Sequence, residues 1–263
     1  MTIYYSVLGI LFAAQIAFLL FFLHVCRSGK LFEWMTAFFL RRLDKRFFRV
    51  FNDILLPDGE GGTTQVDHLV VCSGGLFLVE SKGWGMSRFS VEKCKLYAST
   101  EAATWKIYYK GKRGRNEGSA TVPNPFRQNH KHHLCLSQAL DIPLEAIRPM
   151  VCLPAFVKLM KAAEVPGLYL SPRDLVAAIR EQAHGKRFTK EKFQEILVAL
   201  AAFKQASGRK AQREHVQRLH EKYHSDICPR CGAPLVERTA KKTGMAFVGC
   251  SRYPACRYTR QER

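Results

Sequence analysis

Residues Asp67 to Lys82 read DHLVVCSGGLFLVESK, with an acidic residue at the head of one apolar run and Glu80-x-Lys82 closing the next. A buried, unpaired carboxylate costs several kcal/mol or changes its protonation state, so apolar strands ordinarily exclude charge. Charges at the ends of two adjacent strands therefore point to a site for a divalent cation. If Gly74-Gly75 forms a two-residue turn, Asp67 lies opposite Lys82 and Leu69 lies opposite Glu80. Opposed residues share a face of the sheet, and so do residues two apart on one strand. In this register Asp67, Glu80 and Lys82 converge. Two carboxylates hold a hard cation such as Mg²⁺ or Mn²⁺ through oxygen. The cation can acidify a water and neutralise a pentavalent phosphate, and the lysine can orient the nucleophile or stabilise developing charge. Taken alone, the D…ExK spacing also fits strands whose charged ends face solvent.

A second constellation lies near the C-terminus. Cys228-Pro-Arg-Cys231-Gly and Cys250-Ser-Arg-Tyr-Pro-Ala-Cys256 supply four thiolates in two close pairs, a ligand set for tetrahedral Zn²⁺. Gly232 permits the tight turn after the second cysteine. Leu235, Val236, Phe247 and Val248 suffice for two short strands. So small a unit cannot bury a core and needs the metal to fold. Arg230, Lys241, Lys242 and Arg252 add charge, and Phe247, Tyr253 and Tyr258 offer rings on which bases can stack. The bland alternative is a structural or protein-docking ribbon.

Several elements must position these residues. Ser28 to Phe51 has apolar residues at helical spacing, with Ser28 as a candidate N-cap. Residues 52–57, 65–72 and 76–82 read as strands. The pattern weakens from Gly83 to Pro123, where Lys106 to Arg115 suggests a strand followed by an exposed basic loop. Asn124 to Leu140 reads as a helix with Pro125 in its first turn. Strands are expected at 147–153 and 168–170, and helices after Ser171 and over Thr189 to Ala206. His130, His132 and His133 have no acidic or cysteine partner nearby in sequence, which argues against a metal role for them.

The 263 residues carry a net charge of +19. That excess favours nucleic acid or an acidic membrane surface as partner. Five further cysteines are scattered, which suits reduced thiols better than a disulfide framework. Ile3 to Val25 is almost entirely apolar and long enough to cross a bilayer, and no basic residue precedes it as a signal peptide requires. Arg27, Lys30, Arg41 and Arg42 follow it. The positive-inside rule then places the C-terminal bulk in the cytoplasm, with the N-terminus outside the inner membrane. The expected organisation is a transmembrane anchor at 1–26, a main domain at 28–206, a basic and partly helical linker at 207–226, and a four-cysteine ribbon at 227–263.

The hairpin, together with Gly29-Lys-Leu-Phe-Glu33 before it and Asn124-Pro-Phe-Arg-Gln128-Asn after it, resembles the nuclease-related domain NERD, a branch of the PD-(D/E)xK nuclease superfamily. The resemblance covers roughly residues 28 to 155. It implies an α/β, restriction-endonuclease-like core with a mixed sheet, in the order α-β-β-β-α-β. It also implies that Glu33 and Gln128 reach the same active-site edge, Glu33 assisting metal or water and Gln128 touching nucleophile or DNA backbone. The C-terminal cysteines resemble the zinc ribbons of bacterial type IA topoisomerases, which implies single-stranded DNA binding. The expectation is a membrane-anchored, Mg²⁺-dependent DNA endonuclease or nickase with a role in defence against foreign DNA. The alternatives are an adaptor that binds nucleic acid without cutting it and a protein whose basic surface binds anionic lipid.

Overall fold

The computed structural model describes residues 12, 15, 16, 19, 29–84, 95–110, 116–160, 165–224, 226–228, 230–240 and 246–260. The span expected over 3–25 falls almost wholly outside that set, as do Lys241, Lys242 and the basic segment 111–115. Among the described residues no helix is long and apolar enough to cross a membrane. Two compact units divide at Ser207/Gly208.

The first unit opens with helix α1 (Lys30–Leu40) and continues through strands β1 (Arg49–Pro57), β2 (Thr63–Cys72) and β3 (Gly75–Ser81). Strands β4 (Lys95–Tyr97), β5 (Thr104–Lys110) and β6 (Asn116–Pro123) precede helix α2 (Pro125–Leu140). Then come β7 (Ile147–Cys152), β8 (Lys158–Leu159), β9 (Leu168–Tyr169), and helices α3 (Pro172–Gln182) and α4 (Lys190–Ala206). The main sheet has the order β1-β2-β3-β7-β9, antiparallel through β3 and parallel beyond it. Its core order matches the α-β-β-β-α-β expectation, with β4–β6 inserted before α2.

The sheet is buried on both faces. Leu136 and Leu140 of α2 and Ile196 and Leu200 of α4 pack on Leu69, Val71, Leu76 and Leu78. Phe32 and Leu40 of α1, with Leu175 and Ile179 of α3, pack on Val70, Phe77 and Val79. The period-2 alternation of β3 thus feeds two cores, and all seven of its residues are buried. Glu80 shares its parity with Leu76 and Leu78 and so faces α2.

Three expectations are corrected. The helix expected from Ser28 to Phe51 ends at Leu40, and Gly29 rather than Ser28 stands at its N-cap. The Asp44 carboxylate accepts from the Arg46 N–H at 2.9 Å, an Asx turn that competes with helix, and strand pairing begins at Arg49. The hairpin turn is Ser73-Gly74, because Cys72 pairs with Gly75. A side chain at Gly74 would meet the Ala183 carbonyl oxygen at 2.4 Å, so this glycine admits the end of α3 to the turn. Finally, the weakly patterned stretch after Gly83 supplies β4, β5 and β6 of a second mixed sheet, of order β6-β5-β4-β8, which β8 completes from beyond β7. Its inner face buries Leu96, Trp105 and Ile107 against Val151, Leu153 and Val157.

The second unit contains helix α5 (Arg209–His224) and strands β10 (Leu235–Thr239), β11 (Ala246–Cys250) and β12 (Thr259–Arg260), which form an antiparallel sheet. The stretch read as a basic linker is mostly α5.

Candidate functional site

The observed register, His68 opposite Val79, continues to place Asp67 opposite Glu80 rather than Lys82. The shift from the expected pairing is two residues. An even shift preserves side-chain parity, so the convergence of the three charges survives it. Between Asn52↔His68 and Ile54↔Val66 the β1–β2 pairing is interrupted, and there Asp53 takes a left-handed φ of 53°. For a residue other than glycine this conformation is uncommon and marks a local constraint. Side-chain alternation in β2 changes phase at the same place, since Val66, Leu69 and Val71 all join one core cluster.

Glu80 is only 1% exposed. Lys82 Nζ lies 2.6 Å from its Oε1, and His132 Nε2 lies 3.4 Å from its Oε2. Burial pushes the Glu80 carboxyl up, but His132 and Lys82 outweigh it and hold the group below the ordinary carboxylate range. Asp67 behaves oppositely. Burial first, then the charges of Glu80 and Glu33, push its carboxyl well above the ordinary range, and Lys82 and the Ser81 N–H offset only part of this. Its Oδ2 accepts from Ser81 N at 3.0 Å. Behind it, His68 bridges Asn52 Oδ1 at 2.7 Å and Ser81 Oγ at 3.3 Å, and burial lowers its pKa to about 4, so it stays neutral. Glu33, in the first turn of α1, is paired with Lys30, whose Nζ also lies 3.9 Å from Asp53.

The segment Asn124 to His132 divides its work along one helix. Asn124 caps α2 by accepting from Phe126 N at 2.9 Å, and its amide donates to the carbonyls of Ser99, Thr100 and Ala102. Buried Asn129 donates to the Leu78 and Met150 carbonyls at 3.1 and 2.9 Å, clamping the helix across β3 and β7. Gln128 is exposed at the site's edge, with Nε2 3.4 Å from His132 Nε2. His132, four residues further on, is buried, and its Nδ1 lies 2.8 Å from Thr64 Oγ1. The structure thus brings Asp67, Glu80, Lys82, Glu33 and Gln128 into one neighbourhood. It adds Thr64, which the sequence did not single out, and His132, which was set aside for want of an acidic partner nearby in sequence but lies against Glu80 in the fold. The Gln128–His132 spacing of four residues on one helix face was the available signal.

The residues fit a hard divalent cation. Neither Glu80 oxygen makes a well-directed hydrogen bond, although both are buried. Asp67, Glu80 and Glu33 repel one another, and a cation bound between them relieves that repulsion.

In the second unit, the Sγ atoms of Cys228, Cys231, Cys250 and Cys256 all lie within 4.8 Å of one another. The Cys228–Cys256 and Cys231–Cys250 separations are 3.7 and 3.4 Å, far beyond a disulfide bond. They are close to the sulfur–sulfur edge of about 3.8 Å expected for tetrahedral thiolates around zinc. Gly232 takes a φ of 70° and donates to the Cys228 carbonyl at 2.9 Å, which closes the expected knuckle turn. The Ala233 backbone lowers the Cys231 thiol to about 7, whereas burial raises Cys250 to about 12. Four clustered thiols cannot all ionise without a cation.

Of the side chains read as nucleic-acid contacts, Arg230, Arg252 and Tyr253 are exposed and Phe247 is partly exposed. Tyr258 packs against the cysteine cluster. Arg238, which donates to the Cys250 carbonyl at 3.2 Å, lies 5.8 Å from the Tyr253 ring centroid.

Comparison with known proteins divides along the same lines. Residues 28–154 match the model of the nuclease-related domain, and residues 225–263 match that of the topoisomerase DNA-binding C4 zinc finger. An uncharacterized protein of Bacillus anthracis is 30% identical over 132 residues, covering 49% of this chain and 52% of that one. DNA topoisomerase 1 of Pyrococcus horikoshii is 53% identical over 32 residues, 12% of this chain and 5% of that protein. The uncharacterized protein YrdD of Escherichia coli is 51% identical over 37 residues, 14% and 19% of the two lengths. The chain thus spans about half of the first relative and much less of the others. No solved structure matches.

Proposed function

We propose that this chain, which carries a nuclease-related domain at residues 28–154 and a topoisomerase-type C4 zinc finger at 225–263, is a metal-dependent DNA phosphodiesterase. The observation that carries the reading is the hairpin register, His68 opposite Val79, whose continuation sets Asp67 across from Glu80, with Lys82 at 2.6 Å from Glu80 and Glu33 close enough to perturb Asp67. Asp67 and Glu80 would hold Mg²⁺ or Mn²⁺. Bound there, the cation would supply a nucleophilic water and neutralise charge on the scissile phosphate. Lys82, partly exposed beside Glu80, presents a cationic ammonium to the same phosphate, and its pKa is raised because Glu80, Asp67 and Glu33 overcome the effect of burial. Gln128, exposed at the rim, donates an amide toward nucleophile or backbone. His132, beside Oε2, would orient the Glu80 carboxylate from one side as Lys82, beside Oε1, does from the other.

The four cysteines would hold Zn²⁺, and the ribbon would grip DNA through Arg230, Arg252, Phe247 and Tyr253. The reading extends to an inner-membrane tether through the apolar stretch 3–25, which would station the enzyme where foreign DNA enters. Membrane fractionation of the full chain, with and without residues 1–26, tests that part alone. The central test is plasmid nicking by the full chain in detergent with Mg²⁺. Wild type should nick and Asp67→Ala should not. If wild type binds no divalent cation and leaves plasmid intact, the chain is an adaptor that binds nucleic acid without cutting it. If Asp67→Ala nicks as well as wild type, the carboxylate site is not where cutting occurs.

A further inference from the structure

The second sheet has an outer face that neither metal site uses. Lys158, Lys95, Tyr108 and Ser119 stand opposite one another in one cross-sheet row, and Tyr97, Lys106 and Thr121 stand in the next. The alternate residues Leu96, Trp105 and Ile107 are fully buried, so the rows with lysine and tyrosine face outward. Lys106, Lys158 and Thr121 are exposed, Tyr97 is 46% exposed, and Lys95 and Tyr108 are half-exposed. Among the described side chains this face holds no carboxylate. The acidic residue in these strands, Glu117, lies at the β5–β6 irregularity, and its side chain is outside the described set.

Edge protection accounts for part of this pattern only. Lysines on edge strands discourage sheet-to-sheet aggregation, which covers Lys158 on β8. Lys95, Tyr97, Lys106 and Tyr108 sit on β4 and β5, the two central strands, where no edge needs guarding. Two half-exposed rings among three lysines form instead a stacking platform with a cationic surround, the combination that holds unpaired bases and their phosphates. Tyr97 and Tyr108 occupy diagonal positions across β4 and β5, about 7–8 Å apart. A strand stretched beyond the duplex rise of about 3.4 Å per nucleotide can place consecutive bases on both. On the reverse of the sheet, Trp105 packs edge-on against Trp84, two residues past Lys82, at 6.0 Å between ring centroids. The platform is thereby anchored next to the end of β3.

We propose that this outer face binds single-stranded DNA, with Tyr97 and Tyr108 stacking bases and Lys95, Lys106 and Lys158 holding phosphates. Binding there does not depend on whether the carboxylate site cuts.

The test uses the zinc-loaded full chain in detergent without added Mg²⁺, a fluorescent oligo-dT, and a 5-iodouracil version of it for photocrosslinking. Wild-type protein should crosslink at Tyr97 and Tyr108. The double variant Tyr97→Leu/Tyr108→Leu should bind oligo-dT at least about tenfold more weakly and duplex DNA unchanged, with an unaltered melting curve. Asp67→Ala should bind oligo-dT like wild type, which separates failure of this proposal from failure of the phosphodiesterase reading. Crosslinks confined to residues 226–260, or equal oligo-dT binding by the double variant, would overturn it. So would a parallel loss of duplex binding, because the surface would then be only an electrostatic one.

Discussion

Asp67, Glu80 and Glu33 come from β2, β3 and α1, elements of a sheet whose two faces bury Leu69, Leu78, Phe77 and Val79 whether or not a cation is present. Cys228, Cys231, Cys250 and Cys256 come from two short segments of a unit in which, among the described residues, the buried cluster is Cys228, Cys250 and Cys256, with Cys231, Leu235 and Tyr258 packed beside them. In the first region the fold forces like charges together and a metal would relieve the strain. In the second a metal would create the fold. Strand register and core packing can hold repulsive groups at close range because many apolar contacts share the cost. A ribbon of a few dozen residues has no such reserve.

The largest expected effect tests that contrast directly. Zinc removal by a chelator should unfold the second unit, since zinc supplies about 10–16 kcal/mol to folding in comparable small sites. Four additional thiols per chain should then react with a disulfide reagent, while Cys72 and Cys152 stay inert in the first unit. Burial pushes the Cys152 thiol up to about 12. If chelation instead melts the whole chain in one step, the two regions are not independent and the contrast fails.

Next in size is Asp67→Ala, which should lower nicking at least about a thousandfold, roughly 4 kcal/mol of transition-state stabilisation. Circular dichroism should stay unchanged, because the core does not need the carboxylate. His132→Ala should cost about ten- to a hundredfold in Mg²⁺ affinity or rate, the usual scale for a residue that orients a metal ligand. His132→Gln should recover part of it, and no effect of either variant would remove His132 from the site.

The smallest effect is on stability. Asp67→Asn in Mg²⁺-free buffer should raise the melting temperature. The raised carboxyl pKa means that the folded chain binds a proton the unfolded chain releases, so the wild-type side chain costs stability as pH rises through and above the ordinary carboxylate range. The amide escapes that cost, and its advantage should grow from pH 5 to pH 8. A lower melting temperature at pH 8 would mean that the three carboxylates are not in conflict.

The cysteine centre was legible because each ligand pair sits within one turn, where spacing alone dictates geometry. The hairpin was half legible. Its Ser73-Gly74 turn displaced the expected register by two residues, and only the period-2 parity of strands kept Asp67 and Glu80 on one face. Strands β4–β6 were largely hidden, because their outward lysines, tyrosines and threonines dilute the apolar signal that Leu96, Trp105 and Ile107 carry. The place of His132 was legible only as a shared helix face with Gln128, since its partners Glu80 and Thr64 lie 52 and 68 positions away.

By itself, then, the sequence determined what is local: which residues can ligate, which face of a strand they share, and where Asn124 and Pro125 start a helix. Only the tertiary structure decided that α2 lays His132 and Gln128 near Glu80, that the β1–β2 pairing is interrupted at Asp53, and that a second sheet turns tyrosines and lysines outward. These outcomes depend on which apolar surfaces pack together, a choice made by the summed burial of the whole core that no single segment encodes.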